Sequence, residues 1–491
     1  MKTFTTPIFN FGDKRLNARG IGLLEAMKKE QSSVIHRLGN WATQIAFYRF
    51  INNERVKRDQ IQQALRQTCQ QVIEQDTIEQ KKEEQTHYLI LQDTTAVSLS
   101  SHKGRISKEI GWIANKSEDI GYFIHPSLVI NAQAGMPVGF AHVRSWTRAK
   151  SAKDRFERNY KQQSIADKES FRWIESMQES SKLFAPTHQL TFIQDREGDI
   201  FELFQEATAQ KRFIVRSKAN RKLLANGEQA NKEQANKEQA NKEQANKELL
   251  YDYMKQVSLS TTFDIEVIKE VRKNRAAREA LLEIRFSAVL LAPPARRKGD
   301  KPISLWAVWA CESEQTIPKG EEGISWHLLV SYPIETIEAA LEAIKFYRQR
   351  WWIEELFRLL KSEGWGLEAS ELESGEAIMK MAVLTLFPAL QVLTLWFSWK
   401  EENPLEVKGL FSETETKCME ILNEKLEGKS QKQKNPYPRG SLQRIAWVIA
   451  RLEGWSGYSS QRKPGIITFW NGMKKFQAIF QGYLLKDVYK P

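Results

Sequence analysis

The chain has 491 residues, more than a single hydrophobic core usually holds, so two to four domains are expected. Its hydrophobic content of 41% excludes a largely disordered protein. Lys and Arg number 73 against 61 Asp and Glu, and the resulting charge of +12 favours a polyanionic partner, either nucleic acid or an anionic membrane surface.

Cysteine usage and hydropathy indicate the compartment. Cys69, Cys311 and Cys418 are far apart and odd in number, so they predict neither a disulfide framework nor a zinc knuckle, and a reducing cytoplasm is expected. Residues 1–7 lack the apolar region of a signal peptide. Residues 381–399 are uncharged and close to membrane-spanning length. They include a proline and four polar residues, which favours a buried helix of a soluble domain and no membrane partner.

The first 75 residues are predicted to be helical, with helices over residues 14–29, 41–52 and 56–75. A small, basic, helical segment fits a DNA-binding module, although no helix-turn-helix spacing stands out. An ordinary helical cap with exposed basic residues explains this segment equally well, because a basic face is a weak signal.

From about residue 84 the pattern becomes mixed α/β. Strands are predicted over residues 88–91, 122–133, 138–146 and 190–194, and helices over residues 167–180 and 200–209, with Asp167 as an N-cap. Asp93 and Asp195 each lie just past the carboxyl end of a predicted strand. Ligand-handling groups usually lie at that position in open α/β sheets.

Residues 211–332 read mostly as strands and predict an antiparallel β insertion. The strands are expected over residues 212–217, 262–268, 280–291, 303–311 and 326–332. Within the insertion, residues 228–247 are four tandem copies of Glu-Gln-Ala-Asn-Lys. A five-residue period places no constant face on a helix, so this tract is predicted to be a solvated loop expansion without functional effect.

The segment from 346 to 361 carries an unusual stripe of polar side chains. At roughly 100° per residue, Tyr347, Arg350, Glu354 and Lys361 fall within an arc of about 60° on one helix. Alone, the stripe is typical of a solvated, salt-bridged face, because Arg350 and Glu354 form an ordinary i, i+4 pair. Helices are predicted again beyond residue 371.

Asp93, Asp195 and Glu354 together suggest a different interpretation of that stripe. Three converging carboxylates make an oxygen-rich site for hard divalent cations. Two such ions about 3.5–4 Å apart can activate an attacking oxygen and stabilise the leaving oxygen at phosphorus, so no protein nucleophile is required. Arg350 and Lys361 fit beside the carboxylates as phosphate-binding cations, and Tyr347 supplies a hydroxyl donor.

At these residues the chain resembles the cut-and-paste DDE transposases of bacterial insertion sequences that carry the YREK signature. Tyr347, Arg350, Glu354 and Lys361 fill the four signature positions with the spacing Tyr-x2-Arg-x3-Glu-x6-Lys. The remaining matching segments are residues 92–95 and 195–199, which resemble the two aspartate blocks, and residues 12–15 and 48–51, which resemble the end-binding domain. The resemblance covers most of the chain.

The resemblance implies an α/β fold, namely a ribonuclease-H-like mixed sheet interrupted by an antiparallel β insertion and flanked by helical N- and C-terminal domains. The expected domains are a DNA-end-binding domain (residues 1–75), a catalytic domain (76–370, with the β insertion at about 211–332 and the low-complexity tract at 228–248) and a dimerisation domain (371–491).

The resemblance also implies an activity. Such enzymes bind the terminal inverted repeats of their element as a homodimer, nick the DNA with Mg²⁺-activated water, form and reopen a hairpin, and join the 3′-hydroxyl to target DNA. Two Mg²⁺ ions per site, for which Mn²⁺ is expected to substitute, would be held by Asp93, Asp195 and Glu354. The expected location is the bacterial cytoplasm, in association with the nucleoid.

Four further positions are implied to contact DNA. Trp326 occupies the place of a tryptophan that holds a flipped base, although a strand-core tryptophan is its ordinary alternative. Arg216 resembles a DNA-contacting position, and the Glu-Gln-Ala-Asn-Lys tract that follows it departs from the family pattern. Arg15 and Arg19 are the corresponding candidates in the end-binding segment.

Two alternative functions remain open. One is a catalytically silent DNA-binding regulator of transposition, and the other is a metal-dependent nuclease without strand transfer. All three carboxylates are present, which favours an enzyme over a simple binder. The seven histidines show no HExxH or paired spacing, so a histidine-based zinc site is not expected.

Overall fold

The computed structural model describes residues 7–79, 86–106, 110–114, 119–148, 163–224, 248–267, 276–361, 363–399, 405–406, 409–458, 461 and 463–485. The repeat tract at residues 228–247 lies outside the described residues.

The three predicted N-terminal helices are confirmed as α1 (Lys14–Glu30), α2 (Trp41–Ile51) and α3 (Arg58–Glu79). The first two begin at side-chain caps, which satisfy backbone N–H groups that have no partner within the helix. Asp13 accepts a hydrogen bond from the backbone N–H of Arg15, and Asn40 accepts one from that of Thr43.

The central sheet is organised around strand β1. Its strands in chain order are β1 (His87–Gln92), β2 (Thr95–Ser98), β3 (Gly111–Trp112), β4 (Ile120–Asn131), β5 (Met136–Trp146), β6 (Gln189–Gln194) and β7 (Lys211–Arg216). β1 pairs antiparallel with β4 and parallel with β6, while β5 pairs antiparallel with β4 and β7 pairs parallel with β6. The order β5-β4-β1-β6-β7 therefore joins three antiparallel strands to two parallel ones, and the strands predicted here are confirmed.

The β insertion continues this sheet rather than forming a separate layer. Its strands are β8 (Thr261–Val267), β9 (Arg278–Leu291), β10 (Ile303–Glu312) and β11 (Ser325–Val330). They form an antiparallel set in which β11 pairs with β7. The antiparallel prediction is confirmed for these four strands. The predicted strand at residues 212–217 instead belongs to the central sheet, because β7 pairs parallel with β6.

Two helices predicted in the mixed α/β region are shorter than expected. Helix α4 (Phe171–Ser181) begins four residues after Asp167, which lies in a 3-10 turn, so the prediction that Asp167 caps α4 is wrong. Helix α5 (Phe201–Phe204) is a single turn. The chain turns soon after it, because Thr208 exchanges hydrogen bonds with Lys211 at the start of β7 and so competes with helix continuation.

The remaining helices follow in chain order as α6 (Leu250–Gln256), α7 (Ile337–Gln349), α8 (Trp351–Leu360), α9 (Gly375–Ser398), α10 (Glu413–Leu426), α11 (Leu442–Leu452) and α12 (Ile466–Leu485). Helix α9 contains residues 381–398 of the uncharged run, and the last residue of the run, Trp399, is the C-cap of the helix. By length and composition it could cross a membrane, but its most apolar window is completely buried inside the protein. Its burial was predicted and is confirmed.

The sheet separates two hydrophobic clusters, and β1 contributes to both. Leu89 and Leu91 belong to the cluster that includes α9 and the N-terminal helices, whereas Tyr88 and Ile90 belong to the cluster beneath α4 and α6. This alternation follows from the two-residue period of a strand. Burial on both faces fixes the position of β1, and with it the chain end that carries Asp93.

Candidate active site

The three candidate carboxylates come from the ends of two strands and from one helix. Asp93 directly follows β1 and Asp195 directly follows β6. Because β1 and β6 are parallel neighbours, their carboxyl ends lie at the same edge of the sheet. Glu354 reaches this edge from the first turn of α8.

Arg350 joins two of these carboxylates. Its Nη1 donates to Oδ2 of Asp93 at 2.8 Å, and its Nη2 donates to Oε1 of Glu354 at 2.5 Å. The Arg350 and Asp93 side chains are 14% and 16% exposed, and that of Glu354 is 33% exposed. A residue on the strand side and a residue on the helix side of the site are thus held by one guanidinium.

The pKa of Asp93 reports its surroundings. Burial is the main cause that raises this pKa to about 7, and the negative charges of Asp195 and Glu354 add to the effect of burial. The Arg350 guanidinium and the backbone N–H of Thr94, which donates to Oδ1 of Asp93 at 2.7 Å, act in the opposite direction. Both other carboxylates therefore lie close enough to Asp93 to affect its ionisation electrostatically.

The site extends toward the end of β7 and the start of β11, two paired strands, through Tyr347, Arg216 and Trp326. The rings of Trp326 and Tyr347 meet edge to face with centroids 5.9 Å apart, and the guanidinium of Arg350 lies 6.0 Å from the Tyr347 ring centroid. Arg216 donates to the backbone carbonyl of Ser325 at 2.8 Å. Burial raises the pKa of Tyr347, whereas the positive charges of Arg350 and Arg216 act to lower it. The structure thus brings these three predicted residues together beside Arg350.

The stripe predicted on one continuous helix needs correction. The helix is interrupted at Arg350, where α7 ends and α8 begins. The backbone N–H of Arg350 bonds to the Tyr347 carbonyl and that of Ile353 to the Arg350 carbonyl, both with the three-residue spacing of a tighter turn. Lys361 lies beyond the end of α8 in an extended conformation, so it does not continue the helical stripe.

The donor chemistry at this edge fits a hard divalent cation, because carboxylate oxygens are the ligands that Mg²⁺ and Mn²⁺ favour. In the arrangement seen here the Asp93 and Glu354 oxygens bond to Arg350 instead. Among the residues that the structure describes, no group of three or more His, Cys, Asp or Glu side chains is gathered closely enough to hold one ion. Two of the three carboxylates, those of Asp93 and Glu354, are thus assembled around the Arg350 guanidinium.

Arg172 is a buried residue that the sequence analysis missed. Its Nε donates to the Thr94 hydroxyl at 2.8 Å, its Nη1 donates to the Glu169 carbonyl at 2.9 Å, and its Nη2 bonds to the Glu197 carboxylate. Arg172 lies on α4, distant in sequence from both aspartates, so no local motif marks it.

A second missed feature lies directly behind the aspartates. Gln92 and Gln194 precede Asp93 and Asp195 at the strand ends, and the Gln194 amide donates to the Gln92 carbonyl oxygen at 2.6 Å. A Cβ at Gly198 would lie 2.4 Å from Oε1 of Gln194, so glycine at that position permits this packing. The repeated Gln-Asp pair is the signal that could have predicted the contact.

Arg15 and Arg19 lie far along the chain from these residues, on α1, where both are exposed. Their neighbour Asp13 is used as the α1 cap and also pairs with Arg55 at 3.2 Å. Exposed cations on a helix suit phosphate contacts, which carry no sequence information by themselves.

Comparison with protein families gives two matches. A transposase DNA-binding family model matches residues 5–56, which include α1 and α2, and a transposase DDE domain model matches residues 194–388. The second match includes Asp195 and Glu354, whereas Asp93 precedes it. A DDE domain implies a ribonuclease-H-like fold, and such domains generally use divalent metal ions. The two matched regions support a DNA transposase with a DDE catalytic domain.

Proposed function

We propose that the chain is a transposase of the YREK group of bacterial insertion sequences, which excises its element at the terminal inverted repeats and inserts the 3′ ends into target DNA. The observation that carries the proposal is the Arg350 guanidinium, bonded to Asp93 and Glu354 beside Asp195. It unites the strand-end and helix parts of a DDE triad at one edge of the sheet.

The proposed roles follow from the chemistry of each side chain. Asp93, Asp195 and Glu354 would hold two Mg²⁺ ions, with Mn²⁺ as a substitute. Bound ions would activate the attacking oxygen and stabilise the leaving oxygen at phosphorus. Charge-assisted hydrogen bonds to phosphate are strong, so Arg350 and Lys361 are assigned to the DNA backbone.

The DNA-facing side of the site is proposed to be the group formed by Tyr347, Arg216 and Trp326. The edge-to-face pair of Trp326 and Tyr347 and the nearby guanidinium are suited to hold a base that is flipped out of the DNA double helix, because bases stack on aromatic rings and on Arg. A displaced base would leave the strand end free to fold back into a hairpin. Arg15 and Arg19 would contact phosphates of the terminal repeat.

The protein is proposed to act as a homodimer in the bacterial cytoplasm, associated with the nucleoid. In this proposal, residues 1–75 bind the element ends, residues 76–370 catalyse and residues 371–491 dimerise. Pairing two element ends in one complex would couple both excision events.

The direct test is cleavage of end DNA. Purified protein is incubated with labelled duplexes that carry the inverted repeats flanking its coding region, with Mg²⁺ or Mn²⁺, and the products are separated on denaturing gels. Nicked strands followed by hairpins are expected, and a supercoiled target added later should receive the 3′ ends. Asp93→Ala and Glu354→Ala should reduce cleavage about a hundredfold to a thousandfold, the order expected when electrostatic stabilisation of a transition state is removed.

Glu355→Gln is the matched control, because it changes a neighbouring carboxylate on the same helix, α8. The Glu355 carboxylate pairs with Arg358, with Oε2 lying 3.9 Å from Nη1, rather than with Arg350. It should cleave within a few fold of the parent. Cleavage without hairpin or strand transfer would favour a metal-dependent nuclease. Specific binding without cleavage would favour a silent regulator. Because phosphate contacts release counterions, affinity should fall steeply with salt, and a flat response would exclude DNA as the partner.

A further inference from the structure

The two aspartate loops are connected through one buried side chain. The backbone N–H of Thr94 donates to Oδ1 of Asp93, and the backbone N–H of Glu197 donates to Oδ1 of Asp195 at 2.8 Å. Arg172 bonds to the side chains of both Thr94 and Glu197. Thr94 and Glu197 each contact an aspartate through the backbone and Arg172 through the side chain, so these two residues and the Arg172 guanidinium connect one aspartate carboxylate to the other.

The guanidinium is held in place from several sides. Only 8% of the Arg172 side chain is exposed, and its Cζ lies 5.6 Å and 5.5 Å from the ring centroids of Trp146 and Trp173. Its third contact, to the Glu169 carbonyl, fixes it to its own helix start. The planar fork of Arg is suited to such fixed multiple contacts, and Lys cannot reproduce them.

The sheet alone does not fix the aspartates. Hydrogen bonds between β1 and β6 align the strands up to Leu91 and Ile193, and the Gln92–Gln194 amide contact extends this alignment by one residue. Asp93 lies in the two-residue gap between β1 and β2, which both pair with β4, whereas Asp195 begins a 3-10 turn after β6. No β1–β6 pairing reaches either aspartate, so their relative position also depends on contacts between these two segments, and the Arg172 bridge supplies one.

We propose that Arg172 is a positioning residue, which sets the spacing of Asp93 and Asp195 through Thr94 and Glu197 so that both carboxylates can bind the same divalent cation. This inference rests on the proposed function of the carboxylates as cation ligands. Ligand sets lose affinity when their supporting contacts are loosened, even if the ligands themselves remain.

The test measures Mn²⁺ binding by electron paramagnetic resonance in the full chain without DNA. Thr94→Val removes one end of the bridge, together with the 2.9 Å hydrogen bond between the Thr94 hydroxyl and Nδ1 of His125, with little change in shape. Glu197→Gln removes the charge at the other end and leaves the His125 contact in place. Each should weaken Mn²⁺ binding about five- to tenfold, whereas Thr94→Ser, which keeps the hydroxyl, should bind as the parent does. Arg172→Gln should weaken Mn²⁺ binding as well, and Arg172→Lys should weaken it to the same extent, because Lys cannot make the same set of contacts.

The double variant distinguishes a bridge from two local effects. Thr94 and Glu197 meet through Arg172, so the combined loss should be clearly smaller than the product of the single losses. Circular dichroism and thermal unfolding accompany each measurement. A purely structural role would lower the melting temperature while folded protein keeps the parent Mn²⁺ affinity, and that result would overturn the proposal, as would strictly multiplicative losses.

Failure of this inference can be told apart from failure of the proposed function. If parent protein binds Mn²⁺ in an Asp93-dependent manner and the bridge variants weaken that binding, but the parent never cleaves element ends, the transposase proposal fails and the Arg172 assignment stands. If cleavage occurs and the bridge variants retain parent Mn²⁺ affinity, only the Arg172 assignment fails. Absence of Asp93-dependent Mn²⁺ binding by the parent overturns the assignment too.

Discussion

Replacing Asp93 with Asn should change how the stability of the protein depends on pH. In the metal-free protein, burial raises the pKa of Asp93 from its usual 3.8 to about 7. Between these values the folded protein binds a proton that the unfolded chain has released. The free energy of unfolding must therefore fall as pH rises through this window and level off above pH 7.

The magnitude follows from the width of the window. A proton bound only in the folded state contributes about 1.4 kcal/mol for each pH unit. From pH 5 to pH 8 the parent should thus lose about 3 kcal/mol through Asp93, most of it below pH 7. Asn resembles the protonated acid and does not titrate. The variant should match the parent near pH 5 and be more stable at pH 8.

The assay is urea denaturation followed by tryptophan fluorescence at pH 5, 6, 7 and 8 in the presence of a chelator. Other titrating groups cancel when the parent is compared with the variant. The Arg350 guanidinium lowers the pKa of Asp93, so Arg350→Gln should move the pH window of the parent upward. A stability difference between parent and Asp93→Asn that stays constant from pH 5 to pH 8 would refute the burial argument.

Three further variants test neighbouring parts of the structure. Asp199→Asn should lower the free energy of unfolding by about 3 kcal/mol in the same denaturation assay, because the fully buried Asp199 carboxylate pairs with Arg221 at 2.5 Å. Trp326→Ala should reduce hairpin formation more than first-strand nicking on denaturing gels, whereas Trp326→Phe should retain most of both, because the aromatic contact with Tyr347 is kept. Arg350→Lys should weaken end-DNA binding about tenfold in gel-shift titrations with Ca²⁺, since Lys cannot form the bidentate contact, and unchanged binding would exclude Arg350 as a phosphate ligand.

The strands and the edge that carries Asp93 and Asp195 could be predicted because they depend on local pattern. Short apolar runs ending in an acidic residue give both the strand and the position of the carboxylate. The ordinary interpretation of the helix stripe was also partly right, because Arg350 does pair with Glu354 across one turn. The same guanidinium binds Asp93 as well, and no helical pattern contains that second partner.

Other features depend on contacts between distant segments. The interruption at Arg350 and the position of Lys361 beyond α8 violate simple helical periodicity. The place of β7 in the central sheet is set by its pairing with β6, which strand propensity does not encode. Arg172 is separated from Thr94 by 78 residues, and only the folded chain brings them together.

Arg350 and Arg172 are two mostly buried arginines that pair with acidic side chains around the site, but their bonding predicts different behaviour. Arg350 bonds directly to carboxylate oxygens of Asp93 and Glu354, and it lies beside the aromatic pair on the proposed DNA side. Any cation that uses those oxygens competes with it, and a released guanidinium is then available to phosphate. Arg172 bonds to Thr94 and Glu197 rather than to the aspartates, so it can keep every contact when the carboxylates change partner. Arg350 is thus suited to exchange its partners, whereas Arg172 is suited to keep them. When DNA and divalent ions bind, only Arg350 should change its contacts.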